Sequence, residues 1–212
     1  MPSENLMETK DRILNQAQQL FAENGIRAIT MDDLANNLGI SKRTIYVHFN
    51  DKNELLINCI KDKMVNQKML DDQIINDASN CLIALIKFVE HNVAAVKSQN
   101  PNYYQDLEKY YPGIWESKIQ EYTIYQHNRI LELLIKGIDK KVFRKNIDVE
   151  VVATNIQNIF KSVCSPVIYP QKKFSLNSVF ANTLVNYVGG IVSSKGLKYL
   201  KTYRINYESN LE

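Results

Sequence analysis

The stretch 30–49, TMDDLANNLGISKRTIYVHF, leaves this chain little choice of local fold. Thr30 can cap a helix, with Asp33 three residues on as the acidic partner of a capping box. Met31, Leu34, Ala35 and Leu38 then recur at helical spacing. Gly39 stands where a helix end favours left-handed backbone. Ser41 can cap a second short helix whose inner face is Ile45 and Phe49. Its outer side and leading end carry Lys42, Arg43, Thr44, Tyr46, Val47 and His48. Two short helices about a tight turn, the second bearing cationic, hydroxyl and aromatic groups, have the build of a DNA reader.

Composition agrees with helices and limits the charge argument. Seven glycines and five prolines in 212 residues mostly avoid the interiors of the periodic segments, which favours an all-α chain. No apolar run approaches the roughly 18–20 residues needed to cross a bilayer. The N-terminal MPSENLMETK lacks the charged-then-apolar pattern of a secretory signal. Cys59, Cys81 and Cys164 are widely spaced, with no Cys-x-x-Cys pair. These features lead to the expectation of a cytoplasmic protein with reduced thiols. Net charge is only +3. Within residues 1–60, Lys10, Arg12, Arg27, Lys42, Arg43 and Lys52 are outnumbered by Glu4, Glu8, Asp11, Glu23, Asp32, Asp33, Asp51 and Glu54. Any contact with nucleic acid must come from where a few cations stand. No glycine-rich phosphate loop, His-Glu-x-x-His site or nucleophile elbow occurs, and His91 and His127 lack acids at ligand spacing. No enzyme activity, metal or cofactor is expected.

Periodicity predicts a first helix over 7–24, with Ile13, Leu14, Ala17, Leu20 and Phe21 on one face and Asn24-Gly25 as its stop. Asp51 and Glu54 restart a helix after Phe49, whose apolar face is Leu55, Leu56, Cys59, Ile60 and Met64. The whole series from Thr9 through Ile13-Leu14, Ala17, Leu20-Phe21, Gly25, Thr30, Leu34-Ala35, Leu38-Gly39-Ile40-Ser41, Thr44-Ile45-Tyr46, His48-Phe49 and Lys52 to Leu55 resembles the N-terminal domain of the TetR family of transcriptional regulators. Glycines, caps and aromatics stay in step over nearly the whole of that domain.

The resemblance implies a division into a DNA-binding domain at 7–67, with its motif at 30–49, and an effector-binding and dimerisation domain at 68–212, about nine helices in all. It implies that Lys42, Arg43 and Val47 meet base edges or sugar–phosphate. Thr44 and Tyr46 would give hydroxyls to phosphates, Lys52 would pair with another, His48 would lie near the backbone or a base edge, and Thr30 counts among the DNA-binding residues. Asp32 is out of place on a face that meets phosphates, though it suits a helix N-terminus.

Beyond residue 50 the pattern predicts a helix ending near 70, a connection over 71–77, and helices over 78–96, 103–111 and 114–137. A polar link over 138–148 follows, and its Phe143-Arg144 pair extends the resemblance loosely. Two broad apolar stripes come next, on helices over about 149–163 and 176–194, and the lysine-rich tail reads as a frayed end. The resemblance makes those stripes a dimer interface, with Ile156, Phe160, Val163, Phe180, Leu184, Tyr187, Val188 and Ile191 facing the partner and Gly189-Gly190 allowing close approach. Six tyrosines and the single tryptophan fall between Tyr103 and Tyr125. Apolar walls with a few polar tips suit a ligand pocket. Phe88, Tyr104, Tyr110, Trp115, Tyr122 and Tyr125, with His91 and His127, are its candidate lining.

The function expected is a homodimeric regulator of a palindromic double-stranded DNA operator, acting as a repressor released by a small apolar or amphipathic effector. The competing expectation is a helical ligand-binding or structural protein whose helix-turn-helix no longer reads DNA.

Overall fold

The computed structural model describes residues 2–170 and 172–209. The elements are α1 (Pro2–Asn24), α2 (Met31–Leu38), α3 (Lys42–His48), α4 (Lys52–Asp77), α5 (Cys81–Lys97), α6 (Asn102–Tyr110), α7 (Pro112–Ile114), α8 (Gln120–Asp139), α9 (Val149–Cys164), α10 (Leu176–Phe180), α11 (Asn186–Gly189) and α12 (Ser194–Ser209). Wider π turns at Trp115–Ile119 and Ala181–Val185 join α7 to α8 and α10 to α11. Ten continuous helical stretches result among the described residues, with Phe143↔Val192 as a lone antiparallel bridge. The chain is all-α, as its periodicity predicts.

Two compact units form. The first joins residues up to Lys68 with Lys97–Tyr122, and the second joins Met69–Val96 with the residues from Thr123 on. The first unit thus takes in a segment that the chain-order division at 67/68 leaves in the other domain. Its core explains why. Tyr103 and Leu107 of α6 are buried among Ile13, Ala17, Phe21, Ile26, Leu34, Ile45, Phe49 and Leu55. Asn100 fastens the same segment to the end of α1, donating from its backbone to the Ala22 carbonyl at 2.6 Å and from its side chain to that of Glu23 at 2.8 Å. Gly25 turns the chain there at φ +86°, and a Cβ on it would stand 3.1 Å from an Asp106 carboxylate oxygen. Left-handed backbone and close approach both call for glycine.

The second unit packs Leu82, Leu85, Ile86 and Phe88 of α5 against Leu134 of α8, Ala153 and Ile156 of α9, and Leu184 and Val188. Its departures from the periodic reading have local causes. α4 continues through 71–77 because Asp71 is fully buried and accepts from Asn92 Nδ2 at 2.9 Å. The stretch 176–194 is broken after Gly189, and the tail is a helix, not a frayed end: Leu200 of α12 is buried and seats against Gly189. Phe143 lies so close to Gly137 that a Cβ there would come within 2.3 Å of its ring. Arg144 ties the 138–148 link to the end of α11, its backbone donating to the Ile191 carbonyl at 3.0 Å and its guanidinium to that of Gly190.

This packing covers much of the stripe expected at a dimer interface. Ile156, Val163, Phe180, Leu184, Val188 and Ile191 are buried in their own chain, and Phe160 and Tyr187 pack partly buried against the same cluster. Phe160 and Tyr187 keep part of their surface open. Gly189 likewise admits Leu200 of the same chain.

Candidate nucleic-acid interface

The recognition segment is built from caps outward. The Thr30 hydroxyl accepts from the Asp33 amide at 3.1 Å, while the Thr30 amide and hydroxyl donate to Asp33 Oδ2 at 2.8 and 2.6 Å. Those bonds from Thr30 hold the Asp33 carboxyl below the usual carboxylate range. α2 ends at Gly39, φ +65°, where the Ile40 amide reaches the Ala35 carbonyl at 3.1 Å. Ser41 then caps α3, accepting from the Thr44 amide at 3.1 Å and sharing a 2.8 Å hydroxyl contact with Thr44. Ile45 and Phe49 bury the inner face of α3. With both ends and the inner face committed, the outer face has one available orientation.

That face carries Lys42, Arg43, Tyr46 and Val47, all exposed; Val47 is 66% and Tyr46 44% open. An exposed branched apolar group beside an exposed aromatic contributes nothing to the core, and both suit contact with a thymine methyl or a sugar. Arg43 has no hydrogen bond or ion pair among the described residues, so its guanidinium fork is available. Lys42 is engaged: its ammonium meets Asp32 at 2.8 Å, which raises its pKa. Asp32 therefore neutralises one of the two cations leading α3, a pairing across ten residues that sequence spacing alone does not reveal. The pair is open to solvent and costs little to separate. His48 and Thr44 are partly exposed at the flanks.

Two expected contacts have internal work instead. The Thr30 hydroxyl gives its proton to Asp33 and acts as a cap. The Lys52 ammonium donates to the carbonyls of Ile26, at 2.6 Å, and Ile29, and lies 5.7 Å above the Phe21 ring. Burial lowers its pKa. Lys52 thus ties α4 to the turn between α1 and α2. The carbonyls it satisfies are 26 and 23 residues away.

The aromatic candidates divide between the units. Tyr104, Tyr110, Trp115 and Tyr122 belong to the first, Phe88 and Tyr125 to the second. Phe88 is spent on the core of its unit. Tyr110 is a surface residue whose ring stacks 4.6 Å from the Arg27 guanidinium and whose hydroxyl accepts from Arg27 Nη1 at 2.6 Å. Tyr104 and Trp115 remain partly buried against the first core. His127 contacts Gln157 at 3.0 Å and Glu150 at 3.1 Å, linking α8 to α9.

The sequence pattern described as bacterial regulatory proteins, tetR family, matches residues 13–59, which enclose both caps, both helices and the start of α4. An HTH-type transcriptional regulator of Staphylococcus aureus is 25% identical over 171 residues, covering 72% of this chain and 92% of its own. Residues 13–59 thus belong to a TetR-family DNA-binding domain, in a chain similar to transcriptional regulators over most of its length. The TetC protein of transposon Tn10 from Escherichia coli is 27% identical over 150 residues, covering 68% of this chain and 74% of its own length. The crystal structure of a γ-butyrolactone receptor shares the fold, with a TM-score of 0.71, 17% identity and coverage of 97% and 99% of the two chains. These likenesses support a DNA-binding regulator over the competing reading. No described helix is long and apolar enough to cross a membrane.

Proposed function

We propose that this chain is a homodimeric TetR-family repressor whose two α3 helices enter successive major grooves of a near-palindromic operator. The half-sites would lie about one DNA turn, roughly 34–36 Å, apart. One observation carries the reading: the doubly capped α3 presents Arg43, Tyr46 and Val47 outward and exposed, with no hydrogen bond or ion pair to them among the described residues. A small effector would bind a state with different half-site spacing and release the DNA by shifting the population. Kinship with a fold that includes a γ-butyrolactone receptor supports small-molecule control.

Selection of bound fragments from random DNA, followed by footprinting, tests this directly. The expected footprint is a two-fold symmetric site protected by two protomers, with repression of a reporter placed behind it. Arg43→Ala should cost about 1–3 kcal/mol and relax selection at one symmetric pair of positions. A footprint on a single half-site by a monomer would overturn the dimeric reading, and activation of the reporter would overturn repression.

A further inference from the structure

α4 carries a pair of polar groups whose environment points to a ligand. Its buried face runs through Leu55, Leu56, Cys59 and Ile60. The next positions of that stripe, four and eight residues beyond Cys59, are Lys63 and Gln67. Both are partly buried, one helical turn apart on the same side of α4, where an apolar residue would ordinarily follow. The Lys63 ammonium stands 5.2 Å from the centroid of the buried Tyr103 ring. No hydrogen-bond acceptor and no carboxylate faces it among the described residues, and burial alone pushes its pKa down to about 8. The Gln67 Nε2 is buried with no hydrogen-bond partner.

Two donors one helical turn apart, both without acceptors, are costly: a buried donor left unmade forfeits its desolvation energy. The cost is recovered when a molecule with matching acceptors arrives. The surroundings describe the rest of that molecule. α6 brings Tyr104, edge-on to Tyr103 at 5.1 Å between centroids and partly buried against the first core, and the π turn supplies Trp115 to the margin of that same core. One residue past Gln67, Lys68 is already paired with Glu121 at 3.5 Å, and Glu121 also meets Lys118 at 3.1 Å. Asp62, beside Lys63 in sequence, is likewise bonded to Gln18 at 2.8 Å, and no ion pair to Lys63 is found among the described residues.

We propose that Lys63 and Gln67 form the head-group site for an anionic amphiphile, a carboxylate with an apolar tail lying against Tyr104 and Trp115. The assignment rests on the effector-responsive reading for its consequence, but the site can be tested separately from it. Binding of straight-chain carboxylates from butanoate to tetradecanoate, and of alcohols and alkyltrimethylammonium ions of the same lengths, is measured calorimetrically on the full chain. At least one carboxylate should bind about tenfold or more tighter than its alcohol. Lys63→Met should remove that preference and Lys63→Arg keep it, with circular dichroism showing each variant folded. Gln67→Glu, which places a carboxylate one turn from the ammonium, should fill the site from within and abolish carboxylate binding while raising the melting temperature of the ligand-free protein. The proposal is overturned if no carboxylate binds, if alcohols or ammonium ions bind as well as carboxylates, or if Lys63→Met binds like the parent. Operator release separates the two readings. Carboxylate binding through Lys63 without release keeps the site and removes effector control. Release by alcohols alone keeps effector control and removes the site.

Discussion

Asp32 and Lys42 show how a single pairing resets the electrostatics of a reading helix. The domain has few cations to spend, and Asp32 holds one of the two at the head of α3 at 2.8 Å. Replacing the acid should therefore strengthen attraction to any duplex. Asp32→Ala is expected to tighten binding to operator and unrelated DNA alike and to steepen the slope of log affinity against log salt by about one. Anisotropy titrations over a salt series measure both. An unchanged slope would mean that the pair already opens when phosphate approaches. Lys52 makes the opposite case. A cation in a DNA-binding domain invites assignment to phosphate, yet its ammonium is bonded to two backbone carbonyls of the α1–α2 turn. Lys52→Met keeps the packed stem and removes the donor. It should lower stability by about 1–3 kcal/mol through the orphaned carbonyls and leave the salt slope of DNA binding where it was. A melt and the same anisotropy series decide it, since a phosphate contact would show the reverse pattern.

At the scale of elements, what could be read from sequence depended on how local its cause was. α2 and α3 are legible to within a residue because Thr30, Gly39 and Ser41 act on backbone groups no more than four positions away. The apolar stripes of α9 and of 176–191 are equally plain, but periodicity says only that a face is covered, never by what. Here the cover is Phe88, Leu134 and the rest of the same unit. The tail is hard to read for a related reason: Leu200 is its buried anchor, and the socket, Gly189, lies eleven residues earlier across a turn. Lys63 and Gln67 left a trace in the sequence, as polar residues in register with Cys59, but their lack of partners is a three-dimensional fact. Phe143 and Gly137 give this scale its test. They pack so that even a methyl on Gly137 meets the ring at 2.3 Å, and the Phe143 backbone holds the 138–148 link in a bridge to Val192. Gly137→Ala lies in the interior of α8, where alanine is the better helix former by about 1 kcal/mol. Overpacking should reverse that sign and cost about 1–3 kcal/mol net. A gain in melting temperature would show that Phe143 can move aside.

At the scale of the whole molecule, the chain crosses between its two units at 68/69, 96/97 and 122/123. The region matched by the family pattern, 13–59, is therefore less than a folding unit. Its core is closed by Tyr103 and Leu107, which follow it by more than forty residues and are 6% and 0% exposed. Gly25, Arg27 and Glu23 are also committed to that later segment, the Arg27 amide donating to Asp106 at 2.8 Å. A fragment of residues 1–68 contains every candidate DNA contact but would leave Ile26, Phe21 and the inner side of α1 open to water. It should retain helical signal, melt without a cooperative transition and bind operator at least about tenfold more weakly than a matched covalent dimer of the full chain. In the intact chain, Leu107→Ala should cost about 2–4 kcal/mol by leaving a cavity in the DNA-binding core, and hydrogen exchange should accelerate in α1–α3, far along the sequence from the substitution. Exchange confined to α6 would show that the first 68 residues stand alone. The reading head and the segment 97–122 would then be separate bodies, contrary to the shared core seen here.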